Sequence, residues 1–85
     1  MKYELVYTRR AEKDILKLEE SARKRIGKAI LYYKEDPLRH AEKLTDSKLG
    51  TYRFRIGDYR AVFDIEGNEI VVLRVGHRKE IYRRR

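Results

Sequence analysis

The sequence predicts an α+β fold: an N-terminal strand, an antiparallel helix hairpin, then a three-stranded antiparallel meander, forming one sheet with the helices packed on one face. Two observations carry this. Apolar residues recur at helical spacing up to Tyr33 and at every second position from Gly50 onward. Glycine-containing turn signals then divide the second half at Gly57-Asp58 and at Glu66-Gly67-Asn68.

Each element follows from local pattern. Lys2 to Tyr7 alternates, with Tyr3, Leu5 and Tyr7 on one face, and reads as a strand. Thr8 suits an N-cap, with Glu12 and Asp14 near the positive end of the helix dipole. Ala11, Ile15, Leu18 and Ala22 follow at helical spacing. Ser21 suits the cap of a second helix with the stripe Ala22, Ile26, Ala29, Ile30 and Tyr33. Gly27 weakens that helix by about 1 kcal/mol relative to alanine. Pro37 disfavours helical geometry at Asp36 and ends the segment. Residues 38–49 are polar, weakly patterned and read as a loop. Strands are expected over Tyr52–Ile56, Tyr59–Ile65 and Glu69–Val75, followed by a basic tail from Gly76 to Arg85.

Register decides which residues share a face. A two-residue turn at Gly57-Asp58, with Gly57 supplying the positive φ of a II′ turn, pairs Ile56 with Tyr59, Arg55 with Arg60, Phe54 with Ala61 and Arg53 with Val62. Tyr52, Phe54, Ile56, Tyr59, Ala61, Phe63 and Ile65 then line the core face, and Arg53, Arg55 and Arg60 the other. A two-residue turn at Gly67-Asn68 would put Arg74 on the core face, where an unpaired charge is costly. A three-residue turn over Glu66–Asn68 instead sends Val71, Leu73 and Val75 inward and Arg74 to the basic face, so that turn is expected.

Lysine and arginine total 22 against 14 acidic residues, a net charge of +8. Such an excess attracts polyanions. Nucleic acid, an anionic membrane surface and an acidic protein partner all fit it. The 85 residues suit one domain. No cysteine is present, which fits a reducing cytoplasm, and no apolar run approaches the roughly 20 residues of a membrane span. The opening MKYELVYTRR alternates and is charged early, unlike a signal peptide. With two histidines, scattered glycines and no nucleophile elbow around Ser21 or Ser47, no metal or cofactor is expected.

Arginine opposite arginine is poor sheet design, because like charges across strands repel. At ~5 Å and an effective dielectric near 20 the cost is about 3 kcal/mol, and less where water reaches. A surface that meets phosphates offsets it, since guanidinium forks onto phosphate oxygens. His77, of a residue type that can move protons at neutral pH, stands beside Arg78 and Lys79. Tyr82 is a second candidate for proton transfer, or a platform on which a base stacks.

These residues carry a resemblance. The segment from Leu49 to Tyr82, above all YRFRIGDYR and VGHRKEIY, resembles the RelE/ParE superfamily of toxins, and the element order extends the likeness over nearly the whole chain. The RelE type is marked by basic residues on the sheet and a C-terminal tyrosine. The resemblance implies a toxin of a type II toxin–antitoxin system. Its activity would be ribosome-dependent, metal-independent cleavage of mRNA in the ribosomal A site by 2′-OH attack. It places Arg53, Arg55 and Arg60 on the phosphate, Arg78 at the leaving 5′-oxygen, and Tyr82 as general base with His77 as its rival. Arg74 and Lys79 join the RNA-binding set. Arg53 and Arg55 stand where the family often has lysines. The implied partners are a cognate antitoxin, the ribosome and mRNA. Two alternatives remain: a ParE-type inhibitor of DNA gyrase with the same fold, and a non-enzymatic nucleic-acid-binding module.

Overall fold

The computed structural model describes residues 2–45 and 48–82. Ser47 and the arginines from Arg83 to Arg85 lie outside the described residues. The elements run β1 (Glu4–Tyr7), α1 (Arg9–Leu16), α2 (Glu20–Tyr33), α3 (Pro37–His40), β2 (Ala41–Lys43), β3 (Tyr52–Ile56), β4 (Tyr59–Glu66), β5 (Glu69–His77) and α4 (Arg78–Ile81). The strands form one mixed sheet in the order β1-β5-β4-β3-β2. β1 lies parallel to β5 and the other neighbours are antiparallel.

The helix stripes pack as the sequence predicts. Ala11, Ile26 and Ile30 join Phe54, Ile56, Ala61, Phe63, Ile70, Val72 and Val75 in one core, with Leu5, Tyr7, Ile15, Leu18 and Tyr33 against it. Thr8 caps α1, its Oγ1 accepting from the Ala11 N–H at 3.1 Å. The cap of α2 is Glu19, not Ser21, and its side chain makes no capping bond. Pro37 does more than end α2: with its missing N–H and fixed φ it opens the single turn of α3.

The β3–β4 register matches the expectation residue for residue, and Gly57 has φ +60°. The second hairpin departs from it. Glu66 pairs with Glu69, so the turn is the two residues Gly67-Asn68, with Gly67 at φ +62°. Arg74 still avoids the core face, because a β-bulge takes up the parity. Phe63 pairs with Val72 and Val62 with Arg74, which leaves Leu73 as the extra residue. Ile70 and Val72 are therefore the buried residues below the bulge, rather than Val71 and Leu73, while Val75 is inward as predicted. Leu73 and Val62 crowd against Gly50, where a Cβ would come within 2.6 Å of Val62 Cγ1 and 2.9 Å of Leu73 Cδ1.

The segment 38–49 is the main correction. It holds the end of α3 and an additional edge strand, β2, whose Glu42 is the cross-strand partner of Arg53. Three residues are too few to display a period of two. Asp14, expected to answer the helix dipole, is instead buried at the unpaired edge of β5, where it accepts from the Val75 N–H at 3.0 Å and Arg74 Nε at 2.8 Å.

Candidate functional site

Strand alternation delivers Arg53 and Arg55 to one face of β3, and the hairpin brings Arg60 opposite Arg55. Tyr82 arrives from elsewhere in the chain. At the end of β5, His77 caps α4 by accepting the Lys79 N–H on Nδ1 at 3.1 Å, which leaves the proton of a neutral ring on Nε2. The Arg78 N–H donates to the Asp58 carbonyl at 2.7 Å, and Ile81 is buried. These anchors fix the turn that ends in Tyr82.

The two groups meet at Arg53. Its Nη1 donates to the Tyr82 hydroxyl oxygen at 2.8 Å, and its guanidinium carbon lies 5.5 Å from the centre of the Tyr82 ring, within cation–π range. Its Nε donates to Glu42 Oε1 at 2.8 Å, while Arg55 Nη1 reaches Glu42 Oε2 at 3.5 Å. The Tyr82 bond, and then the Glu42 bond, hold the Arg53 guanidinium protonated more firmly than usual. The same Arg53 bond, with the charge of both arginines, keeps the Glu42 carboxyl below the usual carboxylate range.

The remaining predicted residues divide into two sets. Arg60 is buried at 5% exposure, its Nη1 donating to the carbonyls of Gly57 and Tyr59 at 2.8 Å each. Arg78 Nε lies 3.8 Å from Asp58 at the same turn, so both belong to the hairpin end beside Arg55. Arg74 and His77 are not brought to Tyr82. Arg74 is held by Asp14. His77 is the partner of Tyr59 across the strands, its ring 5.8 Å away, and alternation puts that pair on the face opposite Arg60. Arg74 and His77 line a separate cleft of about 500 Å³ together with Arg10, Asp14, Lys17 and Glu80. Lys79 is exposed on α4.

Sequence reasoning missed Glu42. A signal for it existed, since two arginines on one face of a strand call for an acid on the neighbouring strand. That strand was not visible as such. Among the described residues no group of three histidine or acidic side chains stands together as a metal would need. No helix among them is long and apolar enough to cross a membrane.

A small basic sheet carrying an arginine–tyrosine cluster, beneath a helix pair, has close counterparts. The family model of the ParE toxin of type II toxin–antitoxin systems, parDE, matches residues 5–82. Toxin RelG of Mycobacterium tuberculosis is 35% identical over 91 residues, which span 99% of this chain and 100% of RelG. A chain in the crystal structure of the toxin–antitoxin complex RelBE2 from Mycobacterium tuberculosis superposes with a TM-score of 0.82 at 28% identity, covering 91% of this chain and 99% of that one. One in the RelB–RelE antitoxin–toxin complex from Methanococcus jannaschii gives 0.70 at 28% identity, covering 91% and 94%. The chain belongs to the RelE/ParE superfamily of toxins of type II toxin–antitoxin systems.

Proposed function

We propose that this toxin is a RelE-type endoribonuclease that cuts mRNA in the ribosomal A site, stops translation, and is kept silent by a cognate antitoxin. The observation that carries the reading is the 2.8 Å bond from Arg53 to the Tyr82 hydroxyl, with Arg55 beside it on the same strand. A group able to move a proton thus sits against cations able to hold a phosphate.

The reaction places one task on each group. The ribose 2′-OH attacks the adjacent phosphorus and the bond to the 5′-oxygen breaks, giving a 2′,3′-cyclic phosphate and a free 5′-OH. Tyr82, oriented by Arg53 and acting as its phenolate, takes the 2′-OH proton and becomes the neutral phenol. Arg53 and Arg55 stabilise the charge that builds on the phosphate, and buried Arg60 adds positive potential from the turn. Arg78 stabilises the leaving oxygen as a fixed charge, since arginine hardly deprotonates, and that oxygen takes its proton from water to become the 5′-OH. The nucleophile is the substrate's own hydroxyl, so the scheme needs no metal. Lys79 and Arg74 add long-range attraction for RNA. His77, turned toward Tyr59, takes no part in this scheme. The ribosome presents the bent message, and the site of action is the cytoplasm.

The antitoxin reading is supported by the similar chains, which come from toxin–antitoxin complexes. An acidic segment that covers the basic face matches the net charge of +8. The match to the ParE model favours a second reading, inhibition of DNA gyrase. One experiment separates them: cleavage sites are mapped on messages in a translation system with purified protein, and gyrase supercoiling is assayed in parallel. Cuts confined to translated message support the ribonuclease. Intact message with blocked supercoiling selects the other reading.

A further inference from the structure

Glu42 sits in an unusual place for a surface acid. Its two carboxylate oxygens each take one guanidinium, Oε1 from Arg53 at 2.8 Å and Oε2 from Arg55 at 3.5 Å. Two oxygens spread over two guanidinium groups is also how the non-bridging oxygens of a phosphodiester lie on an arginine pair. We propose that Arg53 and Arg55 form an oxyanion site whose occupant in the free chain is the Glu42 carboxylate, making Glu42 an intramolecular competitor of RNA phosphate. This rests on the reading above that the basic face meets RNA.

The surroundings suit a displaceable occupant. Glu42 lies on the three-residue edge strand β2, and its side chain is 42% exposed, so part of it already faces water. Partly exposed ion pairs are weakly held. Arg53 binds Glu42 through Nε and Tyr82 through Nη1, so release of the carboxylate leaves the tyrosine in place. With Glu42 seated, the arginine pair carries one net positive charge; with Glu42 swung away it carries two. A phosphate must therefore replace a carboxylate as well as bind. That lowers affinity for stray single-stranded RNA and favours a phosphodiester held in place by further contacts.

The test uses a fluorescein-labelled single-stranded oligodeoxynucleotide, read by anisotropy with the full chain. Lacking 2′-OH groups, this probe reports binding whether or not the chain cuts RNA. Glu42→Gln keeps an oxygen for Arg53 but removes the charge, and should tighten binding roughly tenfold, the order expected when a charged hydrogen bond no longer competes. Glu66→Gln, the same charge change at the distal turn, should stay near wild type, as should Glu42→Asp, which keeps the charge. Thermal unfolding confirms that each variant is folded. Unchanged or weaker binding by Glu42→Gln overturns the proposal, as does an equal gain in Glu66→Gln. Tighter binding together with uncut message in the translation system would reject the ribonuclease while keeping the anion site.

Discussion

Two carboxylate–arginine pairs share the same 2.8 Å distance and lead different lives. Asp14 is 8% exposed, and besides Arg74 it satisfies the Val75 N–H at a sheet edge that β1 no longer covers. Glu42 is 42% exposed, on a strand of three residues, and its partners are two arginines that face solvent in part. Distance alone does not rank the pairs. Burial and the second bond do, because removing the buried acid strands the buried Val75 amide and leaves Arg74, itself 26% exposed, without its acceptor. The Asp14 pair locks the bulged half of β5. The Glu42 pair sits on the partly exposed basic face.

The largest effect should fall on chemistry. Tyr82→Phe keeps the ring over Arg53 but loses the hydroxyl, and should lower message cleavage by about 10²- to 10⁴-fold with little change in denaturant midpoint. An active phenylalanine variant would move proton transfer elsewhere. Next, Asp14→Ala should cost about 3 kcal/mol in urea unfolding, since Arg74 and the Val75 N–H both lose their acceptor. A change as small as that of Glu42→Ala, expected under about 1 kcal/mol, would erase the contrast between the pairs. The pH dependence sharpens it. Glu42 has a lowered native pKa because of its Arg53 bond. Its stabilisation is therefore whole above the ordinary carboxylate value and disappears as pH falls through the lower native one. Comparing acid unfolding of wild type and Glu42→Gln should show that small share missing from the variant. The smallest effect lies far from both pairs: Gly27→Ala in α2 meets nothing within 4 Å and should stabilise by up to about 1 kcal/mol in the same urea assay.

The β3–β4 hairpin was fully legible, because Gly57-Asp58 admits a tight turn and every partner then follows by counting. The second hairpin was legible only in parity. Arg74 had to avoid the core, which demands one extra residue somewhere, but the pattern does not say whether that residue sits in the turn or in the strand. The protein puts it at Leu73, a residue whose apolar character alone suggested the wrong face. For the site, Arg53, Arg55 and Tyr82 were placed together by resemblance and are together in space. Arg74 and His77 are not, because a bulge, an edge acid and strand alternation redirect them, and none of these leaves a periodic trace. Glu42 went unread for the same reason as β2: a strand of three residues borrows its shape from its neighbour.

The sheet order has a consequence for how the molecule comes into being. β5 is the last strand among the described residues, yet it separates β1 from β4 and pairs with both. A polypeptide emerging from synthesis thus holds β1 without a strand partner until β5 appears, and such distant pairings form slowly. Tyr82 follows that strand after the single turn of α4. A copy still lacking β5 accordingly has the arginines of β3 and β4 but no assembled arginine–tyrosine cluster.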